Sequence, residues 1–211
     1  MREDKSRNLR KAKALALKNI LVPAGFVKGK HLFVRHTGIQ IHGIEFQTST
    51  WGGVYFVNVG FHYDFLPSGP KLALKDESGV TYELGDFLSY KRLEDWMRPA
   101  PYPSEWNYWG NLEEVQESVD RTSTDAVEIL NRLSRQWVNP ADFLAQAASP
   151  YSFHAQGYPG VPFHLSLIAL HLGRTDLARK YADAAERLDK EYKLNWPAIA
   201  DLRRKLNKLS G

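Results

Sequence analysis

The sequence predicts an α+β fold: an antiparallel meander sheet packed by an N-terminal helix and followed by a mostly α-helical C-terminal half. Three observations carry this. Residues 31–63 form the densest run of β-branched and aromatic side chains in the chain, the types that suit a pleated, half-buried surface. Residues 5–23 carry apolar side chains at helical spacing. From Asn111 onward the apolar period is again helical, nearly to the C-terminus. The predicted division is an α+β sheet domain over 1–110 and a helical region over 111–211.

In the first helix Leu9, Ala12, Ala16 and Ile20 form the stripe, Leu15 and Leu21 widen it, and Pro23 with Gly25 end it. Three strands follow near 31–36, 39–48 and 54–63. Thr37-Gly38 separates the first two, and Thr50-Trp51-Gly52-Gly53 reads as a four-residue hairpin loop between the second and third. Alternation through Ile39 and Ile41 resumes at Ile44 and Phe46, which predicts a bulge at His42-Gly43. The third strand is apolar on both faces near Val54–Val57, so it belongs in the sheet interior. The four-residue loop places Glu45 opposite Asn58 and Gln47 opposite Phe56.

Pro67-Ser68-Gly69-Pro70 is a turn cluster, with short strands expected at 72–74 and 80–82 around a turn at 75–79. Residues 85–110 resist assignment, because prolines preclude a regular element through 99–103. Arg92, Trp96, Arg98, Trp106, Tyr108 and Trp109 crowd there. Asn111-x-x-Glu114 resembles a capping box and opens a helix reaching about residue 137. Asn139 with Pro140 starts a short helix. Residues 149–163 read as a Pro/Gly/aromatic linker, and helices follow at 164–172, 176–192 and 196–209, with Gly173 as a C-terminal cap.

The order of these features resembles a known bacterial family. Gly25-Phe26, Lys28-Gly29-Lys30, Phe33-Val34-Arg35, Gly38-Ile39-Gln40, Phe46-Gln47, the aromatic strand Tyr55 to Gly60, Arg92-Leu93, and Trp106 with Trp109 are similar to domain of unknown function 4304 over residues 9–135. The resemblance implies an α+β domain with no assigned activity, so it supplies no catalytic residue.

Composition narrows the function classes. The chain has 211 residues, 43% apolar and 25% charged, which is ordinary for a globular protein. It contains no cysteine, so disulfide and thiolate chemistry are excluded. The N-terminus lacks an apolar signal core and no apolar run is long enough to span a bilayer, so a cytoplasmic protein without membrane partners is expected. The net charge of +4 is uneven, because ten Lys/Arg and two Asp/Glu lie within residues 1–37. That basic start reads as a solvated helix face or as a surface for an acidic protein. The nucleic-acid alternative lacks a recognisable motif.

No metal-ligand, phosphate-loop or nucleophile motif is present, so no catalytic residue, metal or cofactor is expected. His164 and His171, two turns apart on one helix, read as core-edge histidines rather than ligands. The candidate binding residues are Glu45, Gln47, Asn58, Arg92, Trp96, Trp106 and Trp109. Two readings compete. In the first, the chain is a non-catalytic protein-interaction module, immunity-type by analogy of size and composition, with the Trp/Arg segment as anchor. In the second it is a small-ligand binder or enzyme, with Glu45, Gln47, Asn58 and Arg92 lining a pocket roofed by Trp96 or Trp109. The bland counterparts are a satisfied polar network on the sheet and a loop pinned by its aromatics.

Overall fold

The computed structural model describes residues 2–29, 32–67, 87–97, 103, 106–107, 110–147 and 160–209. Internal contacts divide the chain into two compact units, 1–62 with 83–85 and 89–134, and 63–82 with 86–88 and 135–211.

The first unit holds α1 (Arg2–Ala16), a π-helical segment (Leu17–Leu21), strands β1 (Val27–Lys28), β2 (Phe33–Thr37), β3 (Gln40–Thr48), β4 (Val54–Tyr63, as far as His62), β5 (Ser89–Arg92) and β6 (Trp106–Asn107), and the helices α2 (Leu93–Met97) and α3 (Leu112–Gln136, as far as Ser134). The sheet order is β1-β2-β3-β4-β5, with β6 also paired to β4. The β1–β2, β2–β3, β4–β5 and β4–β6 pairs are antiparallel. The meander and its leading helix are those the sequence predicts. At the β3–β4 turn, Ser49 N–H donates to the Val54 carbonyl at 3.0 Å. Gly52 and Gly53 adopt φ of 77° and 83°, a region costly for a side chain with a Cβ.

One face of the sheet is the core. Tyr55, Val57, Val59 and Phe61 alternate along β4 with at most 1% exposure. Their neighbours on β3 are Gln40, His42, Ile44 and Phe46, all buried. Helices α1 and α3 cover this face. The Tyr55 hydroxyl hydrogen-bonds Ser118 at 2.7 Å, Ser134 Oγ donates to Gln40 Oε1 at 2.5 Å, and Gln116 Nε2 donates to the Ala12 carbonyl at 3.4 Å.

The α1 stripe departs from a regular helical period for a local reason. Leu9, Ala12, Ala16 and Leu21 are the buried residues, while Leu15 is 42% exposed. The wide π turn, closed by Val22 N–H to the Leu17 carbonyl at 2.8 Å, adds one residue to the repeat. That brings Leu21, rather than Ile20, onto the core face.

The expected bulge at His42-Gly43 is absent from the β2–β3 ladder, which runs unbroken from Phe33↔Ile44 through Val34↔Gly43 and Arg35↔His42 to Thr37↔Gln40. Ile41, His42 and Ile44 are each 0% exposed. Both faces of β3 are covered at this end, so the change of apolar phase reflects burial rather than an inserted residue. Short β5 and β6 and helix α2 occupy the stretch that resisted assignment. The strands expected at 72–74 and 80–82, and the turn at 75–79, lie outside the described residues.

The second unit is mostly helical, with the end of α3, α4 (Pro140–Ala147), α5 (Gly160–His171), α6 (Thr175–Tyr192) and α7 (Pro197–Lys208). Helix α5 begins at Gly160, inside the stretch expected to be a linker, because Pro162 is tolerated in a first turn. Ser166 Oγ donates to the Ala178 carbonyl at 2.7 Å, tying α5 to α6. Gly173, with φ of 70°, ends α5 as predicted. Arg203 on α7 pairs with Asp183 and Glu186 on α6. His164 is buried and burial lowers its pKa to about 4. The His171 ring stacks on Phe65 at 3.9 Å. Among the described residues no helix is long and apolar enough to cross a membrane.

Candidate functional site

Strand alternation puts Val54, Phe56, Asn58, Gly60 and His62 on the sheet face opposite Tyr55 and its neighbours. The pairing Asn58↔Arg92 and Gly60↔Tyr90 sends Arg92 and Tyr90 to that same outer face. Across the other ladder, the Asn58 amide donates to Glu45 Oε2 at 2.9 Å and to Gln47 Oε1 at 3.1 Å. Glu45, Asn58 and Arg92 therefore form a cross-strand row over three strands, with Gln47 beside it.

The chemistry of this row is asymmetric. Asn58 is 7% exposed and both of its N–H donors are engaged. The amide nitrogen holds Glu45 and Gln47 in place. Arg92 differs: its guanidinium carbon lies 3.8 Å from the Phe56 ring centroid, a cation–π stack. Among the described residues no carboxylate lies within ion-pair distance of it. A stacked guanidinium keeps its N–H edge outward, and that fork fits a carboxylate bidentately. Tyr90, two residues earlier on the same face, is 50% exposed, and Trp51 at the hairpin tip is 88% exposed.

The two described tryptophans among the candidates lie elsewhere. Lys91 pairs with Val59, so it projects to the core face, and its ammonium lies 5.0 Å over the Trp96 ring. Trp96 Nε1 donates to the Val59 carbonyl at 3.3 Å, and Arg132 on α3 donates to the Trp96 carbonyl at 3.0 Å. Trp96 stands on the Lys91 side and forms no roof over the row. Trp106 pairs with Tyr55, is 9% exposed and has Arg121 of α3 over its ring at 5.6 Å. Trp109 and Arg98 lie outside the described residues. The closeness of Glu45, Gln47 and Asn58 is what the four-residue loop implies, and Arg92 joins them through β5. Phe56 as the stacking platform, and Tyr90 and Trp51 as exposed neighbours, are added by the structure. Their signal in the sequence is weak, since β5 reads Ser-Tyr-Lys-Arg with no apolar alternation to mark it as a strand.

A family model described as Domain of unknown function (DUF4304) matches residues 17–136. No curated protein and no solved structure matches the chain.

Proposed function

The chain belongs to the family of domain of unknown function 4304, and from that premise we propose that it is a non-catalytic protein-recognition module whose contact surface is the outer face of the sheet. The observation that carries the reading is Arg92, stacked on Phe56 with no acidic partner among the described residues. Arg, Tyr and Trp are the types that dominate binding energy at protein interfaces, and Arg92, Tyr90 and Trp51 are solvent-accessible on or beside this face. The Asn58–Glu45–Gln47 row supplies the fixed polar surround that such anchors need. The partner's complementary group is a carboxylate placed to meet the Arg92 fork. An immunity-type protein that masks a toxin is one concrete form of such a module, supported by size and composition.

The test is affinity capture from the source cell with the full chain tagged at its C-terminus, comparing the parent with Arg92→Ala. A stoichiometric protein partner is expected on the parent and is expected to be lost from the variant, whose thermal melt falls by no more than about 5 °C, the worth of the lost contact with Phe56. A partner-free parent preparation, or equal capture by Arg92→Ala, would overturn the proposal.

A further inference from the structure

Between α1 and the β1–β3 end of the sheet lies a cavity of about 360 Å³. A chamber of this volume falls within the range of small-molecule sites, roughly 300–1,000 Å³. Its walls carry three cations, Arg10 and Lys13 one turn apart on α1 and Lys28 on β1. Leu17, Leu32, Phe33 and Phe46 supply the apolar remainder.

Among the described residues these cations, Arg10, Lys13 and Lys28, have no ion-pair partner. Arg10 reaches the carbonyl of Ser6 at 3.4 Å, on its own helix. The Lys13 ammonium is part-buried, 5.8 Å over the Phe46 ring. Burial, then the Lys28 charge, hold Lys13 below its ordinary pKa, with Glu45 opposing. Three like charges around an apolar chamber repel one another, and a bound anion would turn each repulsion into an attraction shared with the ligand. The wall residue Leu17 also opens the π-helical segment, a helix form that recurs at functional sites.

We propose that this cavity binds an anion with an aromatic or short aliphatic body. Its carboxylate or phosphate headgroup sits against Lys13, Arg10 and Lys28, and its body sits between Phe33, Phe46, Leu17 and Leu32. The site is on the helix-covered side of the sheet and stands independently of the protein-recognition surface.

The experiment titrates the full chain with anilinonaphthalene sulfonate at low salt and then competes the dye with phenyl phosphate, octanoate and inorganic phosphate. Saturable one-site binding is expected, displaced by phenyl phosphate or octanoate, and the stronger competitor identifies the headgroup. Lys13→Met keeps the side-chain volume and removes the charge, so dye affinity should fall at least about tenfold, the worth of one charge-assisted hydrogen bond. Its thermal melt should stay level or rise, because a part-buried charge without a partner is gone. Lys13→Arg should restore binding. Should Lys13→Met fail to fold, the exposed Lys28→Gln should weaken binding about threefold in a folded protein. Equal dye affinity in the folded charge-removing variant, or no saturable binding by the parent, would overturn the site. Inorganic phosphate competing as well as octanoate would overturn the apolar part of the ligand.

Discussion

Substituting His42 by glutamine should remove much of the acid sensitivity of the first unit. The His42 ring is fully buried beside Phe61, with ring centroids 5.7 Å apart. Its Nδ1 faces Arg35, at 3.1 Å from Nε and 2.9 Å from Nη2. A guanidinium only donates, so Nδ1 accepts and the imidazole is neutral with its proton on Nε2. Burial first, then the charges of Arg35 and His36, lower the His42 pKa from 6.5 to about 3. Between those values the unfolded chain binds the proton that the folded chain refuses. Stability from this group is therefore complete above pH 6.5 and is lost as the pH falls toward 3. At pH 5 the loss spans about 1.5 pH units at about 1.36 kcal/mol each, or about 2 kcal/mol. Glutamine offers Arg35 a carbonyl acceptor and does not titrate. Urea unfolding at pH 8 and pH 5, followed by circular dichroism and fluorescence, should show the parent losing about 2 kcal/mol more than His42→Gln over that interval. His164, lowered to about 4, titrates in both proteins and cancels in the difference. Identical pH dependence in the two proteins would refute the reasoning, because it would mean that the folded state accommodates a charged His42 beside Arg35.

Trp106→Ala should lower stability by about 3 kcal/mol, because the ring is 9% exposed against the Tyr55 side of the sheet. An unchanged thermal melt would instead make Trp106 a surface anchor. Asn111→Ala should cost about 1 kcal/mol in a denaturant titration, because the Asn111 side chain accepts from Glu114 N–H at 3.0 Å and Glu114 Oε2 accepts from Asn111 N–H at 2.9 Å. Glu114→Gln, which preserves the reciprocal geometry, should lose less than half of that.

The strongly patterned parts of the chain were legible because one principle decides each of them. Strands β3 and β4 run for nine and ten residues rich in β-branched and aromatic side chains, and the Gly52-Gly53 turn fixes their register. From that register alone Glu45, Gln47 and Asn58 fall into one patch. Arg92 joins them through β5, whose four residues carry no apolar alternation and pair only because β4 offers an edge there. The side of the sheet that Trp96 takes depends on the pairing Val59↔Lys91, and pairing between distant segments leaves no mark in local spacing. The placement of Trp106 left no local signal for a related reason. A two-residue strand has no period, so only its partner Tyr55 reveals that it faces the core.

Among the described residues of the first unit five cations each lie over an aromatic ring, and in Arg35, Lys13 and Arg92 the remaining donors separate their roles. Arg35 lies 4.7 Å over Phe26, but it also donates to the Ala24 carbonyl at 3.1 Å and to His42. With its donors engaged on backbone and ring nitrogen, it ties the turn after the π-helical segment to β2 and β3, a structural task. Lys13 over Phe46 and Arg92 over Phe56 have the ring without comparable acceptors among the described residues. A cation–π contact of about 0.5–2 kcal/mol does not replace the hydration that a part-buried cation gives up. Arg92 can still turn its fork to solvent on an open sheet face, so a second protein surface is the fitting complement. Lys13 projects into a chamber too small for a folded partner, and a small anion is the complement that fits there. The same contact type thus occurs at a structural cation, at a cation on the outer sheet face and at a cavity cation, and what is left for the remaining N–H groups to bind distinguishes the proposed roles of the last two.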